Sequence, residues 1–485
     1  MGKRRYLLLA WIVLLLAMTL LRHIELAPAD HRQPPPTPDI TLVDGLARPV
    51  TPPPSGLIES AAGLGFLLIG AWLTGRIFRR LGLPMITGYL VFGVLVGPQL
   101  HQALAPCAWF AWLVPAALVP AESLQYLTLV NNLAISIIAF TAGGEIRLES
   151  LRTGAKHIVS ITLAGVLLIF LGVAAVLYLA RPLVPLLAHR EPAVAIVICM
   201  VLATIAIANS PATALAVIKE ADAHGPTARI GLAVTVCKDL ALVIVFTVLM
   251  AVALRLVPGD EAAVEAAGPS RLIGRLAWQL LASIVIGALA GGLFRLAIGR
   301  VAEHMAIFVI GAGFGLALLS KALDPPLEPL LVALSAGFVL ANLWPRQSAR
   351  MFHATEELSM PVYCVFFAVA GATIRIDALI QLWPLALFIV AVRALLLWVS
   401  TFAGAAITRL PPPARTWMWT TFIAQAGVSI ALVTQVTGSF RNHPWGAQLA
   451  SLLLAVIAIH QLIGPPLMRL GLIRAGEVPR DENPP

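Results

Sequence analysis

Hydrophobic residues in this chain are gathered into long continuous runs, and most charged residues stand between the runs. Most runs between residues 57 and 470 are about 20 residues long, the length that an α-helix needs to cross a bilayer. Since lipid offers the backbone no hydrogen-bond partners, such runs are expected to be helical. The pattern predicts thirteen spanning segments, over residues 57–76, 84–98, 124–142, 157–180, 193–218, 227–254, 272–295, 304–322, 328–344, 357–374, 379–407, 414–436 and 446–470.

The amino-acid composition excludes a soluble protein. Of the 485 residues, 59% are hydrophobic and only 12% are charged, whereas charged residues make up about 25% of a typical soluble domain. The predicted fold class is therefore an all-α polytopic membrane protein. The four cysteines have neither CxxC nor any other metal-ligand spacing, so we expect no disulfide, resident metal or cofactor.

The two ends of the chain differ from its middle. Residues 1–26 place a basic stretch before an apolar run, which is typical of a signal peptide or of a membrane anchor, and both interpretations stay open. Residues 27–56 are rich in proline, which favours an extended linker outside the cytoplasm. Residues 57–470 are the predicted transmembrane domain, and residues 471–485 are a short tail.

The basic residues indicate an orientation in the membrane. The formal net charge is +9, but Lys and Arg lie at the ends of apolar runs and lack the interleaved aromatic residues of nucleic-acid binders. If the first helix runs from outside to inside, the ends with the excess of Lys and Arg are cytoplasmic. The tail is then cytoplasmic too. The expected surroundings are a lipid bilayer, with no nucleic-acid partner.

Polar residues interrupt the fifth predicted helix at Asn209, Ser210 and Pro211, with Thr213 just beyond. Proline removes a backbone donor and clashes with the preceding turn. Transporters use helices broken in this way to bring half-helix ends to the middle of the membrane. The segment is therefore predicted to be a broken helix, with Thr204 as a weaker candidate nearby; a kinked but continuous helix is the alternative.

The sixth predicted helix carries Lys238 and Asp239 between long apolar flanks. An ionisable residue inside the membrane is costly and is therefore a functional candidate. A buried carboxylate tuned by a nearby cation can hold either a proton or a metal cation, one at a time. That competition is the minimum chemistry of an antiporter. An inert buried ion pair is the alternative.

Arg393 lies in the eleventh predicted helix with five apolar residues on each side. It cannot easily reach an interface, so it needs a partner inside the protein. The next helix offers Gln425, and Gly427 weakens that helix, which predicts a second break. Two breaks, each beside a charged helix, have the order of an inverted repeat. The last helix then corresponds to that of Asp239, and its His460 is either a structural histidine or a further site residue.

Four segments carry a resemblance to a known family. They are PMITGYLVFGVLVGP at 84–98, FTAGGEIRLESLR at 140–152, FFAVAG at 366–371 and QAG at 425–427. Together they resemble the sodium/hydrogen exchanger superfamily, and within it the bacterial cation:proton antiporters related to the potassium-efflux branch. The resemblance covers about residues 57 to 470.

This resemblance implies a homodimer in the inner (plasma) membrane that exchanges Na⁺ or K⁺ for protons by alternating access. It also implies a scaffold domain and a moving core domain, with two broken helices that cross in the core. By position, Asp239 matches the ion-binding aspartate of the family, and Arg393 matches the basic residue that neutralises the crossing. Asn209 and Ser210 match the polar break.

Lys238 departs from the family pattern, in which Asp, Asn or Gln usually precedes the ion-binding aspartate. It is either a fixed counter-charge at a half-helix end or a partner of Asp239 that the cation displaces. With only one carboxylate in the pair position, we expect one-for-one, electroneutral exchange.

Two other classes of function stay open: a channel-like or uniport pathway for the cation, and a transport-silent membrane sensor or scaffold. An enzyme is not expected, because the chain has no HExxH, no GxSxG and no nucleotide-binding loop.

Overall fold

A computed structural model describes residues 40–43, 46–49, 55–105, 118–119, 122, 124, 127–257, 269–298, 305–322, 327–425 and 427–479. Two short strands, β1 (Ile40–Val43) and β2 (Leu46–Pro49), pair in antiparallel fashion. Both strands lie within residues 27–56, the segment for which the prolines favour an extended linker. Residues 1–26 and their two interpretations lie outside the described residues.

All other regular structure in the described residues is helical. The helices are α1 (Ser55–Arg80), α2 (Met85–Val96), α3 (Pro98–Leu104), α4 (Thr128–Glu145), α5 (Leu148–Leu179), α6 (Pro192–Ile207), α7 (Pro211–Glu220), α8 (Pro226–Leu256), α9 (Pro269–Ile298), α10 (Met305–Ala322), α11 (Pro329–Leu343), α12 (Pro345–Ala372), α13 (Ile376–Ile407), α14 (Pro412–Trp417), α15 (Gly427–Ser439) and α16 (Pro444–Arg474), with 3₁₀ turns at Arg181–Leu183 and Met418–Phe422.

The described residues of the predicted spanning segments are mostly helical, with internal interruptions at 208–210 and 423–425, and the all-α membrane fold is confirmed. Among the described residues, six stretches are long and apolar enough to cross a membrane by length and composition: Arg152–Leu179, Pro192–Glu220, Pro226–Leu256, Trp278–Leu296, Ile376–Ile407 and Pro444–Arg474. Helices α5 and α12 begin well before the predicted 157 and 357. Their first turns are charged and therefore extend beyond the apolar run.

The helices form two bundles that share a seam. The core bundle comprises α5–α8 and α13–α16, most of which meet in one apolar core. The scaffold bundle comprises α1, α2, α4 and α9–α12, and its second half packs around a separate cluster. A further cluster joins residues of α7, α8 and α16 to residues of α1, α2 and α12 across the seam.

Glycines let scaffold helices pack backbone to backbone. A Cβ added at Gly143 of α4 would overlap the carbonyl oxygen of Leu334 in α11, and one at Gly337 of α11 would overlap that of Phe140 in α4. Likewise, a Cβ added at Gly371 of α12 would overlap the carbonyl oxygen of Leu90 in α2. Small residues at such contacts are typical of membrane helices, whose association depends on close packing because lipid supplies no hydrophobic driving force between them.

Large apolar side chains cover the outer faces of both bundles. Leu163, Leu167 and Leu171 of α5 are each more than half exposed, as are Leu289 and Leu293 of α9. In water such a surface would be costly. Facing lipid, it is the expected exterior of a membrane protein.

One end of the molecule, here called the basic end, carries Arg79, Arg80, Lys219 and Arg474 at helix termini. The tail closes this end. The Glu477 carboxylate, only 8% exposed, accepts hydrogen bonds from the backbone amides of Thr227 (2.6 Å) and Ala228 (2.8 Å). A carboxylate is favoured at a helix N-terminus, so the tail caps α8.

Replacing Gly337 by Ala should lower the free energy of unfolding by about 1–3 kcal/mol, because the added methyl group meets backbone that cannot move aside. The apparent melting temperature in detergent measures this. The matched control is Gly315→Ala in α10, where nothing lies within 4 Å of the added Cβ. The control should be neutral or slightly stabilised, since Ala favours helix. Equal melting temperatures for the two variants would contradict the packing argument.

Candidate functional site

The first break separates α6 from α7. Ala208 and Ser210 have extended backbones between the two half-helices. The Ser210 hydroxyl accepts hydrogen bonds from the Thr213 amide (3.1 Å) and from the Thr213 hydroxyl (2.9 Å), which caps α7. Pro211 takes the first position of α7, where its missing N–H is not needed. The predicted broken helix is confirmed, and its polar residues are the caps that the break requires.

The second break lies between the 3₁₀ turn Met418–Phe422 and α15, which begins at Gly427. Residues 423–425 lie outside regular helix. The chain thus stops and restarts a helix at the place where Gln425 and Gly427 predicted an interruption. The two breaks face each other, because groups from one bond to groups from the other.

Arg393 of α13 joins the two breaks and is completely buried. Its Nε donates to the carbonyl oxygen of Ala206 (2.7 Å), and its Nη2 to those of Ala208 (2.6 Å) and Phe422 (2.9 Å). Its Nη1 donates to the carbonyl oxygen of Ile423 (2.9 Å). The last carbonyls of a helix have no partner within the helix and carry partial negative charge. One guanidinium therefore satisfies and neutralises the C-terminal ends of two half-helices.

Two amide side chains add further links at the crossing. Gln425 Nε2 donates to the carbonyl oxygen of Ile205 (2.8 Å), which ties the second break to the first half-helix. Asn209 Nδ2 donates to the carbonyl oxygen of Thr235 (3.2 Å), which ties the first break to α8. Because Thr235 stands one helical turn before Asp239, this bond joins the break to the helix that carries the carboxylate.

The Asp239 side chain is 8% exposed, and neither of its carboxylate oxygens accepts a hydrogen bond within the described residues. Buried polar atoms are normally paired, and leaving one unpaired costs about 1–3 kcal/mol. Asn209 Oδ1, Gln425 Oε1 and Ser429 Oγ are buried oxygens of the same kind. These three residues and Asp239 all belong to the breaks or to the helices beside them. Oxygen ligands of this type suit hard metal cations.

Lys238 is also buried, at 1% exposure, but its side chain points elsewhere. Its ammonium lies 5.0 Å from the ring centroid of Phe422, at the end of the 3₁₀ turn before the second break. No ion pair joins it to Asp239 in the part of the chain that the structure describes. Successive helical residues point about 100° apart, which accounts for the divergence. Gly165 of α5 leaves room for the lysine stem.

The two weaker candidates lie close to the crossing but are bonded within their own helices. The Thr204 hydroxyl donates to the carbonyl oxygen of Met200 (2.9 Å). His460 is fully buried, with Nδ1 2.9 Å from the carbonyl oxygen of Val456, while Nε2 has no partner among the described residues. The local bond of Thr204 suffices to explain its burial.

A cavity of about 550 Å³ enters from the end opposite the basic end and reaches the first break. Asn209, Ser210 and Pro211 are among its lining residues. Both bundles contribute its walls, with Thr247 of α8 on one side and Gln279 of α9 on the other. The cavity therefore lies in the seam and connects the break to that face of the protein.

A second cavity of about 770 Å³ opens at the basic end. Among the residues that line it, Ala233 lies furthest along α8 toward Asp239. The two residues are six positions apart, or about 9 Å of helix. Leu215 of α7 is its nearest lining residue to the first break. This cavity stops short of the residues that line the other one.

Glu328 is a cavity residue that the sequence did not reveal. It stands at the N-cap of α11 and is the one carboxylate among the described residues that line the 550 Å³ cavity. It makes no ion pair with a described residue, and its backbone amide donates to the Ser283 hydroxyl (3.0 Å). In the sequence it is only the first residue of the predicted span 328–344, and nothing local marks it, because the cavity forms only when α4, α9 and α15 come together.

Arg393→Ala should cost about 3–5 kcal/mol, since it leaves buried half-helix carbonyls without a donor. Arg393→Lys keeps a charge but loses the planar fork that reaches four carbonyls, so it should fall between wild type and Ala. Thermal unfolding in detergent measures both. Arg375→Ala is the control, because Arg375 is exposed at the N-cap of α13 and its ion pair, as far as the described residues show, is with Asp377 in the first turn of that helix. Wild-type melting of Arg393→Ala would refute its role at the crossing.

Solved structures share this architecture. The sodium proton antiporter MjNhaP1 of Methanocaldococcus jannaschii at pH 8 aligns over 87% of this chain and 97% of its own, with 17% sequence identity and a TM-score of 0.60. An electron-microscopy structure of the same antiporter aligns over 88% of this chain and its whole length, with 16% identity and a TM-score of 0.68. At this level of identity the likeness establishes the fold.

Sequence comparisons identify the family. The Na(+)/H(+)-K(+) antiporter GerN of Bacillus cereus is 28% identical over 109 residues, which are 22% of this chain and 24% of GerN. The match thus spans about a quarter of that relative. The model of the transmembrane sodium/hydrogen exchanger family matches residues 65–469, which include both breaks and all of α8 and α13. The chain therefore belongs to the transmembrane sodium/hydrogen exchanger family.

Proposed function

We propose that this protein is a secondary transporter that exchanges a monovalent cation, Na⁺ or K⁺, for protons. Asp239 is the shared site: its carboxylate holds a proton or a cation, never both. The observation that carries the proposal is a buried carboxylate without a hydrogen-bond partner, beside a helix break that a cavity reaches. Family membership and the relatives' names support the same activity.

The break gives the carboxylate its cation ligands. A bare ion in the membrane interior loses its hydration and must find oxygen atoms in exchange. Asn209 lines the cavity, and its Oδ1 has no hydrogen-bond partner among the described residues, so it is available for this purpose. Ser210 also lines the cavity, and its hydroxyl would exchange a bond to Thr213 for the ion. Arg393 and the amide nitrogen of Gln425 are bonded to carbonyls near the half-helix ends, so both residues hold the crossing together.

Exclusive occupancy follows from charge. An ionised Asp239 in a low-dielectric site needs a positive partner, and a proton or a monovalent cation supplies one charge each. Once either one is bound, the carboxylate's charge is neutralised and no longer attracts the other. We infer that one carboxylate exchanges one cation for one proton and that the cycle is electroneutral.

Lys238 is a fixed counter-charge in this scheme. Its ammonium lies over the ring of Phe422, the last residue of the 3₁₀ turn before the second break, and makes no ion pair with Asp239 among the described contacts. It therefore offsets negative potential at the crossing throughout the cycle, while Asp239 alone gains and loses its partner.

The two cavities support alternating access. The cavity that reaches the break comes from the end opposite the basic end, and the basic-end cavity stops short of it. If the basic end is cytoplasmic, as the distribution of Lys and Arg favours, this conformation is open to the outside. Transport then requires the core bundle to move along the scaffold until the other cavity reaches the site. The protein acts as a homodimer in the inner membrane, with its C-terminus in the cytoplasm.

Asp239→Asn should abolish exchange without loss of folding, because the amide has similar volume but can neither release a proton nor neutralise a cation. Proteoliposomes loaded with Na⁺ or K⁺ and given a pH gradient, with a pH dye inside, measure this. Asp377→Asn is the matched control, since Asp377 is an exposed carboxylate at the start of α13. Normal exchange by the Asp239 variant would exclude the assignment. Cation flux that persists without any proton movement would indicate a uniport pathway instead.

Lys238→Gln should lower the melting temperature and leave exchange insensitive to membrane potential, because a fixed charge contributes to stability and does not move with the ion. Exchange rates are measured in liposomes at several pH values and imposed potentials. A shifted pH profile together with a new dependence on potential would instead make Lys238 a partner that the cation displaces from Asp239.

A further inference from the structure

At the basic end of the seam, beside the 770 Å³ cavity, a cluster of charges joins the two bundles. Lys219 is in the last turn of α7, the half-helix that begins at the first break. Its ammonium contacts the carboxylate of Glu145 at the end of α4 and lies 2.7 Å from the carboxylate of Glu356 in α12. One core side chain is therefore held between two scaffold helices.

The next residue makes a second link of a different kind. Glu220 Oε1 accepts a hydrogen bond from the backbone amide of Met85 (2.6 Å), the first residue of α2. Helix N-termini have free amides and a positive dipole end, so a carboxylate is favoured there. Two consecutive residues at the end of α7 thus bind three scaffold helices. We call Lys219, Glu220, Glu145 and Glu356, with the α2 N-terminus, the clasp.

The clasp is directly connected to the candidate ion site. Helix α7 is 10 residues long, so only about 15 Å of helix separates the break from the clasp. Any displacement of the break relative to the scaffold must therefore move Lys219 and Glu220 as well. Glu145, Lys219 and Glu356 also line the basic-end cavity, which stops short of the break.

We propose that the clasp is a releasable lock that keeps the basic-end cavity from reaching the ion site while the opposite cavity reaches it. This rests on the proposed exchange function, in which the core bundle must change position against the scaffold. The lock opens when Lys219 leaves Glu145 and Glu356 and Glu220 leaves the α2 N-terminus. It reforms when the core returns.

The exposure of the clasp makes it suitable for repeated release. The side chains of Lys219, Glu145 and Glu356 are 32%, 44% and 55% exposed. Water can solvate each group once the contacts break. Each exposed pair therefore changes the ratio of locked to released conformations by only about two- to five-fold. By contrast, Arg393 is fully buried and its carbonyl partners cannot be solvated. The crossing is therefore permanent and the clasp reversible.

Cysteine accessibility tests the lock without requiring transport. In a variant with the native cysteines replaced, one reporter is Ala233→Cys in the basic-end cavity and the other is Thr247→Cys in the opposite cavity. Lys219→Gln and, separately, Glu220→Gln should each raise the labelling rate at 233 and lower it at 247, by about two- to five-fold. A small maleimide applied to purified protein in liposomes is the probe.

Two comparisons separate the lock from general loosening. Arg375→Gln breaks an exposed ion pair that lies within α13 alone, and it should change neither rate. The triple swap Lys219→Glu, Glu145→Lys and Glu356→Lys reverses every sign, so the central side chain still lies between two opposite charges, and it should restore wild-type rates at both reporters.

The outcomes distinguish the lock from the proposed function. Unchanged labelling in Lys219→Gln and Glu220→Gln, or a rise at both reporters together, overturns the lock even if exchange is normal. Opposite changes at the two reporters support it even in an Asp239→Asn background, where exchange itself should be absent.

Discussion

The structure depends on one requirement: two helices that stop inside a membrane leave carbonyl groups that lipid cannot satisfy. Arg393 meets that requirement for both helices at once, with four hydrogen bonds to carbonyls from the two breaks. Its guanidinium is planar, permanently charged and rich in donors, which a lysine or a neutral amide would not match. Without such a group the breaks would revert to continuous helix or admit water.

Once the breaks are stable, the rest of the site consists of the polar groups beside them that the crossing does not use. The half-helix ends are bonded to Arg393 and Gln425, which leaves the Asn209 side-chain oxygen and the Asp239 carboxylate without partners among the described residues; these are the oxygens that we propose for the transported ion. The charges near the crossing are divided by direction along α8, with Lys238 facing Phe422 and Asp239 separate from it. This arrangement separates two charges that are adjacent in sequence, and it fits the proposal that Lys238 is a fixed charge and Asp239 the exchangeable one.

The features that could be predicted from sequence are those with a local cause. A break is indicated at Asn209, Ser210 and Pro211, because capping residues and a proline occur together in an apolar run. Arg393 is recognisable because a charge in the middle of an apolar run needs a partner inside the protein. Glu328, Glu356 and Glu477 carried no such signal. Glu356 lies in a part of α12 that precedes the apolar run, and Glu477 acts on residues about 250 positions earlier. Such roles depend on which distant helices meet, which periodicity and composition do not specify.

The cap that Glu477 places on α8 has a consequence for biosynthesis. The first amides of α8 are synthesised about 250 residues before Glu477, so they receive their partner only after residue 477 has been made. Until then the N-terminus of the helix that carries Asp239 lacks its cap. Final assembly of the core bundle therefore waits for residue 477, and a chain truncated before it would present an uncapped helix end to the cell's quality-control proteases.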